Sequence, residues 1–318
     1  MNDGQDIETT RDRSASGIID VVVVNWNSGN DLTRCLASLA RNSNAGLVAQ
    51  IVTVDNGSRD GSAVEPAEYP VPLLIDRAGR NLGFAAAANR GAARGDAPYI
   101  LFLNPDTVVH DGALAAALGG FGPGIGLVGL RQLDASGRAR RSCSRFPTPL
   151  AFWLRALGLD RLPGFADYAP FMPEPPQGQS RRVDQLMGAC LLLRRDLFTA
   201  LGGFDERFFL YFEDVDLALR ARRGGSSSWF EAAGTVTHRG GGSSRQVPAR
   251  RLCLSLASRL AYAHKHFSRL GFFSVALCTL LVEPWTRLVF AVARRGPGAA
   301  FDVMAGYALL LFPGAARP

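Results

Sequence analysis

The stretch IIDVVVVNWNSGNDLTRCLASLA, residues 18–40, decides the fold class of this chain. It begins with an apolar, β-branched run from Ile18 to Trp26, which is typical of a strand buried on both faces of a parallel sheet. A turn follows, and Asp31 can cap the helix that the spacing of LTRCLASLAR predicts. A buried strand that leads directly into a helix indicates an α/β protein.

The same alternation continues along the chain. Apolar runs predict strands at 50–55, 71–76 and 99–104, and small residues predict a helix over 85–95. Together they predict a doubly wound, mostly parallel sheet. The elements predicted beyond residue 111 are a hairpin at Asp134–Gly137, a long Pro- and Gly-rich loop over 147–180, a buried strand over 185–195, a short helix over 196–202, a helix over 214–223, a strand over 226–230 and a loop over 234–244.

Composition bounds the class of protein. The chain has 318 residues, of which 47% are hydrophobic and 20% charged, so it can form one large domain or a domain with an appendage. Its five cysteines are odd in number and lack CxxC spacing, which argues against disulfides and a zinc site. We expect a disordered tail over 1–17 without the apolar core of a secretory signal, and therefore a cytoplasmic location.

The net charge of +7 is concentrated at the C-terminal end, because residues 239–318 alone carry a net charge of +9. A basic helix over 249–267 precedes apolar stretches at 270–282 and 303–312. Each stretch is shorter than the roughly 20 residues that span a bilayer. We therefore predict a domain over 18–247 and a helical region over 248–318 that lies on the inner face of the cell membrane. The alternative is that these helices pack on the domain or form a homodimer. No nucleic-acid-binding motif is present.

Polar side chains cluster where the predicted strands end. In open α/β sheets the ligand lies beyond the carboxyl ends of the strands, so several such residues predict a binding site. These residues are Asn25, Asn27, Asp55, Asn56, Asn81, Asn104 and Asp106.

The segment NPD at 104–106 can supply a metal ligand, because Asp106 offers the oxygen that Mg²⁺ or Mn²⁺ prefers. His238 is a possible second ligand, and the glycines after it would let the backbone close over a phosphate. The alternatives are a turn that opens a helix at Asp106 and a structural histidine. Asp55 could accept a hydrogen bond from a nucleobase, or it could simply form an Asx turn.

The segment GGFDERFFLYFEDVDLALRARRGG, residues 202–225, combines aromatic residues with three acids at the start of a predicted helix. A carboxylate in such a place can act as a general base. The alternative is that one or two of the acids Glu213, Asp214 and Asp216 only stabilise the helix start. Asp216 is the first candidate for this role, or else it pairs with Arg220 at the i,i+4 spacing.

Together, these motifs resemble glycosyltransferase family 2, of the inverting GT-A type, and most of all its bacterial rhamnosyltransferases. The resemblance covers roughly residues 18–245. The matching segments, in the expected order, are VVVVNWNSGNDLTRCLASL, VDNGSRDGS, NLGFAAAANRG, LFLNPDTVV, GACLLLRRDLFTALGGFDERFFLYFEDVDLALRARRGG and THRGGGSS.

The resemblance implies a role for each motif. It implies Asp214 as catalytic base with Glu213 in support, and Mg²⁺ or Mn²⁺ at Asp106 and His238. Asn104 stands where many relatives have the first Asp of the DxD metal motif. The donor-binding residues that it implies are Asn25, Asn27, Asp55, Asn81, Gly83, Asn104 and Asp106. The residues that it places beside the acceptor are Met187, Gly188 and Ala189.

The function implied by the resemblance is inverting transfer of a sugar from a nucleotide sugar. dTDP-L-rhamnose, or a UDP-sugar, would be the donor, and a polyprenyl-diphosphate-linked or nascent cell-surface glycan the acceptor. Two alternatives are a nucleotidyltransferase acting on a sugar phosphate and a non-catalytic module that binds nucleotides or glycans. The first would show a basic, Gly-rich N-terminal loop, which VVVVNWNSGN lacks.

Overall fold

The computed structural model describes residues 17–41, 44, 46–64, 68–162, 164–165, 178–240 and 247–312. The predicted tail, except Gly17, lies outside the described residues. So do the glycines and serines at 241–244 and much of the predicted loop over 147–180.

A mixed sheet forms the centre of the molecule. Its strands are Ile19–Asn25 (β1), Val48–Asp55 (β2), Leu73–Arg77 (β3), Tyr99–Leu103 (β4), Thr107–Val109 (β5), Ile125–Leu133 (β6), Ala139–Arg140 (β7), Arg181–Val183 (β9), Cys190–Arg194 (β11) and Ser227–His238 (β12), while Cys143–Ser144 (β8) and Gln185–Leu186 (β10) pair separately. The main order is β3-β2-β1-β4-β11-β6-β12-β5. The first four strands in this order run parallel, and β11 joins β4 and β6 in antiparallel fashion.

Helices cover both faces of the sheet. They are Asn30–Leu39 (α1), Phe84–Ala92 (α2), Ala113–Gly119 (α3), Pro149–Ala156 (α4), Arg195–Ala200 (α5), Glu213–Arg223 (α6), Pro248–His266 (α7), Arg269–Leu277 (α8), Glu283–Arg295 (α9) and Pro297–Leu311 (α10). β1 is buried along its whole length: Val21 and Val23 face the core layer under α1, and Val22 and Val24 face the layer under α2. The predicted doubly wound α/β fold is therefore confirmed.

Three predicted elements differ from the structure. The loop predicted over 147–180 is wrong at Pro149–Ala156, which is helix α4, because the side chain of Thr148 caps the helix and Phe152 and Leu154 are buried. The strand predicted over 185–195 is interrupted, because β10 pairs with β8 whereas β11 belongs to the main sheet, and between them the amide of Gly188 donates to Asp214. The loop predicted from residue 234 is wrong as far as His238, since β12 continues to that residue. Pairing with β5 and β6 on either side supplies the hydrogen bonds that extend it.

Helix α7 confirms the predicted helix over 249–267 and packs tightly on the domain, with Leu256, Tyr262 and Ala263 buried. The side chain of Asp216 in α6 is fully buried. It accepts a hydrogen bond from a residue of α6 and another from a residue of α7. Its oxygens lie 2.7 Å from Nε2 of His266 in α7 and 2.7 Å from Nε of Arg220. The predicted Asp216–Arg220 pair is thus confirmed, and it belongs to a network that holds α6 against α7.

Helices α8 and α9 form one rod, because a π-helical turn over Cys278–Val282 joins them without a break. The apolar helix expected at 270–282 is therefore part of a longer element. Arg269–Arg294 is long and apolar enough to cross a membrane by length and composition, within the described part of the chain. One face of the rod packs inward: Val275 and Cys278 are buried, and Glu283 pairs with Arg259 and Arg287.

Candidate functional site

A cavity of about 630 Å³ opens at the carboxyl edge of the sheet. It is bounded by the segments that follow β1 and β4, by the end of β12 and by the first turns of α6 and α7. The predicted site residues that line it are Asn27, Asn81, Gly83, Asn104, Asp106, Met187, Gly188, Ala189, Glu213, Asp214 and His238. The structure therefore brings the predicted donor, metal, acceptor and base residues into one space.

Two predicted donor-binding residues lie beneath this cavity rather than in its wall. Asn25 is fully buried, and its amide donates to Oδ1 of Asp55 at 3.3 Å and to Oγ of Ser62 at 2.9 Å. Oδ1 of Asp55 also accepts the amide of Ser58 at 3.3 Å. These bonds hold the turn NGSRDGS, residues 56–62, against the loop that follows β1. The amide of Gly29 in that loop also donates to Oδ2 of Asp60 in the turn. In this structure, Asn25 and Asp55 therefore hold together the two loops that border the cavity and do not line it themselves.

The loop RNLGF, residues 80–84, is held in place by Asn56, the residue that follows β2. Its side chain donates to Oδ1 of Asn81 at 3.0 Å and accepts the amide of Leu82 at 2.7 Å. Gly83 has a φ of +84°, and a Cβ there would lie 2.5 Å from the carbonyl oxygen of Phe209. Only glycine fits this position, where the loop that contains Gly83 contacts the segment that leads to Asp214.

Asp106 and His238 converge on the cavity because β12 pairs with β5, which places His238 opposite Thr107. Nε2 of His238 lies 3.2 Å from Oδ1 of Asp106, and the amide of Gly240 donates to Oδ2 at 3.0 Å. Burial opposes ionisation of Asp106, but the hydrogen bond and charge of His238 outweigh it and lower the pKa of that carboxyl. The carboxylate is therefore ionised at neutral pH.

One carboxylate and one imidazole suit a divalent cation that takes its other ligands from a substrate phosphate and water. Within the described residues, no cluster of three His, Cys, Asp or Glu side chains could hold an ion by itself. The side chain of Asn104 also lines this part of the cavity and can offer a neutral oxygen. The residues present thus fit a cation that binds together with a nucleotide.

Arg140 is a cavity residue that the sequence analysis missed. It is at the end of β7, donates from Nη1 to the carbonyl oxygen of His238 at 2.8 Å, and lines the cavity beside Gly240. Its remaining N–H groups can bind phosphate oxygens. The only signal in the sequence was the basic run GRARR after the predicted hairpin, which points to no particular arginine.

Asp214 is held at the cavity wall by three N–H groups. Oδ2 accepts the amide of Gly188 at 2.9 Å and Nε2 of Gln185 at 3.0 Å, and Oδ1 accepts the amide of Val215 at 2.8 Å. Ser144 bonds in turn to Gln185. The two-stranded ribbon of β8 and β10 therefore positions the carboxylate, a role that the sequence did not indicate for Gln185 or Ser144.

Glu213 and Asp214 form an adjacent pair of acids, of which Glu213 is buried and Asp214 is half-buried. Burial raises the pKa of Asp214, although its bonds to Gly188, Val215 and Gln185 offset part of this. Burial and the charge of Asp214 also raise the pKa of Glu213, and within the described residues its Oε2 has no hydrogen-bond partner. Because hydrogen bonds from N–H groups favour an anion, a negative charge is better stabilised on Asp214 than on Glu213.

The backbone immediately before this pair is strained. Tyr211 and Phe212 have φ values of +69° and +68°, in the left-handed region that costs a residue with a side chain roughly 1–2 kcal/mol. Such strain is concentrated at functional sites. Here it starts α6 at Glu213, so that Asp214 lies in the first turn beside the cavity.

The sequence profile of Glycosyl transferase family 2 matches residues 20–128. The N-acetylglucosaminyl-diphospho-decaprenol L-rhamnosyltransferase of Mycobacterium tuberculosis is 33% identical over an alignment of 272 residues that covers 78% of this chain and 82% of that protein. This chain belongs to glycosyltransferase family 2. It is a glycosyltransferase, which sets aside the nucleotidyltransferase and the non-catalytic module as alternatives.

Solved structures with the same fold are GT-A glycosyltransferases. GalNAc-T7 with UDP, GalNAc and Mn²⁺ aligns with a TM-score of 0.53 at 15% identity, over 69% of this chain and 42% of that one. A mannosyltransferase from Pyrobaculum calidifontis, in complex with GDP-Man and Mn²⁺, aligns with a TM-score of 0.51 at 16% identity, over 96% and 84%. The predicted GT-A fold of this family 2 enzyme is therefore confirmed.

Proposed function

We propose that this glycosyltransferase moves a sugar, with inversion, from a nucleotide sugar to a lipid-linked glycan. The observation that carries the proposal is that one cavity holds both the ionised carboxylate of Asp106, beside His238, and a positioned carboxylate at Asp214. The first can bind the diphosphate end of a donor, and the second can deprotonate an acceptor. A transfer reaction needs both.

Asp214 acts as the general base. It takes the proton of the acceptor hydroxyl while that oxygen attacks the anomeric carbon, and the bond from this carbon to the diphosphate oxygen breaks with its electron pair on the nucleotide. Attack from the side opposite the leaving group inverts the anomeric centre. The raised pKa of Asp214 strengthens it as a base, because proton transfer improves as the pKa of the base approaches the working pH.

Asp106 and His238 are the residues that would hold a divalent cation. When bound, such an ion neutralises charge on the leaving diphosphate as a Lewis acid. The presence of Mn²⁺ in the two solved neighbours supports a divalent cation here, without deciding between Mg²⁺ and Mn²⁺. Arg140 adds a fixed positive charge beside the same group.

The name of the mycobacterial relative supports the finer assignment. We propose L-rhamnose, carried on dTDP, as the donor sugar, and a polyprenyl-diphosphate-linked N-acetylglucosamine as the acceptor.

The proposed function is tested by turnover with a panel of nucleotide sugars and this class of acceptor, with EDTA, Mg²⁺ or Mn²⁺. We expect transfer from dTDP-L-rhamnose in the presence of a divalent cation and its loss in EDTA. Transfer from a different donor would overturn the sugar assignment alone. Absence of both transfer and hydrolysis with every donor would overturn the catalytic role of the cavity.

We further propose that the C-terminal helices lie on an anionic membrane surface. The rod of α8 and α9 exposes an apolar stripe whose members recur every three or four residues. It consists of Leu270, Phe273, Leu277, Leu281, Trp285, Val289 and Val292. Helix α10 adds Phe301, Met304, Leu311 and Phe312, which are exposed as well. An apolar face of this extent on a soluble surface marks an interaction site.

The charge of this region favours lipid as the partner. Residues 239–318 carry a net charge of +9, which complements anionic headgroups. The opposite face of the rod is fixed to α7 by the buried ion pair of Glu283 with Arg259, and to α4 by the bond from Trp153 to Ser274. A rod held along one side fits an orientation in the plane of the membrane better than one across it.

We expect the double variant Phe273→Glu and Trp285→Glu to lose binding to vesicles that contain phosphatidylglycerol. Burial of each large apolar side chain contributes roughly 1.5–3 kcal/mol, so partitioning should fall at least about tenfold in a co-sedimentation assay. Val64→Glu is the matched control, since its exposed fraction of 68% is close to the 65% and 70% of the two stripe residues. Unchanged vesicle binding, or conversion of a dimer to a monomer by the double variant, would contradict the membrane proposal.

A further inference from the structure

Two arginines at the start of α7 line the cavity at a place that the proposed mechanism does not use. Arg250 and Arg251 share this part of the wall with Leu210, Tyr211 and Leu254. Helix α7 is fixed here by Ser258, whose hydroxyl donates to the carbonyl oxygen of Leu210 at 2.8 Å. The two guanidinium groups therefore belong to a defined wall rather than to a loose surface segment.

Arg251 is tied to the acceptor side of the site. Its Nε donates to the hydroxyl of Tyr211 at 2.9 Å, and its guanidinium carbon lies 6.0 Å from the centre of that ring. Tyr211 is one of the two strained residues that precede Glu213 and Asp214. The arginine is thus attached to the segment that presents the base.

Arg250 is partly buried, whereas Arg251 is exposed, and neither arginine pairs with a carboxylate among the residues that the structure describes. For Arg250, withdrawing the guanidinium from water without an anionic partner is unfavourable. An arginine fork binds phosphate oxygens through two parallel hydrogen bonds, which makes phosphate the ligand that best suits this pair.

We propose that Arg250 and Arg251 form a subsite for the diphosphate of a lipid-linked acceptor. The proposal rests on the function proposed above. The donor diphosphate already has Asp106, His238 and Arg140 at the end of β12, whereas Arg251 contacts Tyr211, in the segment that leads to Asp214. Leu210 and Leu254 beside them offer apolar contact to the first units of a prenyl chain, and α7 leads on to the helices that carry the apolar stripe.

The test compares two acceptors in the double variant Arg250→Gln and Arg251→Gln. One is N-acetylglucosamine linked to farnesyl diphosphate, and the other is octyl N-acetylglucosaminide, which lacks a diphosphate. We expect KM for the first to rise at least about tenfold, because hydrogen bonds to charged groups are among the stronger ones. KM for the octyl glycoside and for the donor should stay within about twofold of wild type.

Arg194→Gln is the control for loss of a positive charge, because Arg194 is exposed, pairs with the exposed Asp196 and lies outside the cavity wall. It should leave all three KM values unchanged. An equal rise in KM for both acceptors would overturn the diphosphate assignment. A rise in KM for the donor would assign the two arginines to the donor instead, and an unchanged KM for the diphosphate acceptor would exclude the subsite.

A binding measurement separates this inference from the proposed function. Isothermal titration with farnesyl diphosphate, in EDTA and with UDP at saturation, reports the subsite without any turnover. We expect wild type to bind and the double variant to bind at least about tenfold more weakly. If no donor is turned over but this difference remains, only the proposed function fails. If turnover is normal and the two proteins bind alike, only the subsite fails.

Discussion

Asp214→Asn should reduce kcat by about 10²–10⁴-fold, the usual contribution of a general base, while donor binding stays at the wild-type level. The amide cannot accept a proton from the acceptor hydroxyl. It has nearly the same shape, however, and its oxygen can still accept the bonds from Gly188 and Gln185. Steady-state kinetics give kcat, and titration with the nucleotide sugar gives donor affinity.

Glu213→Gln is the matched control. If Glu213 keeps its proton at neutral pH, its replacement by glutamine changes no charge, so we expect a much smaller loss than for Asp214→Asn. A loss of equal size in both variants would assign the base to the pair as a unit, and near-normal turnover of Asp214→Asn would end its assignment as base.

The pH dependence of the wild-type enzyme supplies a second readout for this prediction. The base must be deprotonated, so kcat falls as the pH drops through the pKa of Asp214. Because burial raises that pKa, the acid limb should lie above the ordinary range for Asp, about pH 4. Asp214→Asn should lose this limb.

Asp106→Ala should lower turnover by roughly two to three powers of ten and abolish its dependence on divalent cations. A bound cation supplies several kcal/mol of charge stabilisation, and about 1.4 kcal/mol corresponds to a factor of ten in rate. Activity should be measured over a range of Mg²⁺ and Mn²⁺ concentrations. Mn²⁺ binding in the presence of UDP can be followed separately by electron paramagnetic resonance.

Asn104→Asp is the informative counterpart, because it adds a carboxylate to the same part of the cavity wall. We expect it to lower the Mn²⁺ concentration that gives half-maximal activity. If Asp106→Ala keeps both its activity and its response to cations, the assignment of the metal to Asp106 and His238 is incorrect.

The parallel half of the fold could be predicted from the sequence because each of its signals is local. The run VVVVN has no polar face, so its strand must be covered on both sides, and the polar residues that follow the strands collect at one edge. Met187–Ala189 and Asp214 were placed by resemblance, and the structure brings them together through the bond from Gly188.

What the sequence did not show depends on contacts between distant segments. The strand that carries His238 is extended by its pairing with β5, about 130 residues earlier in the chain, so local composition predicted a loop there. Gln185 looked like part of a continuous buried strand, yet its side chain turns to Asp214. Asp216 looked like an ordinary helix-start acid, and only the packing of α7 shows that His266 reaches it.

The anomeric configuration of the product tests the central claim most directly, because a single displacement with Asp214 as base must invert the reacting carbon. Proton NMR of the glycan formed by wild-type enzyme gives this configuration. We expect it to be opposite to that of the sugar in the donor. Retention of the donor configuration would contradict the single displacement and with it the role of Asp214.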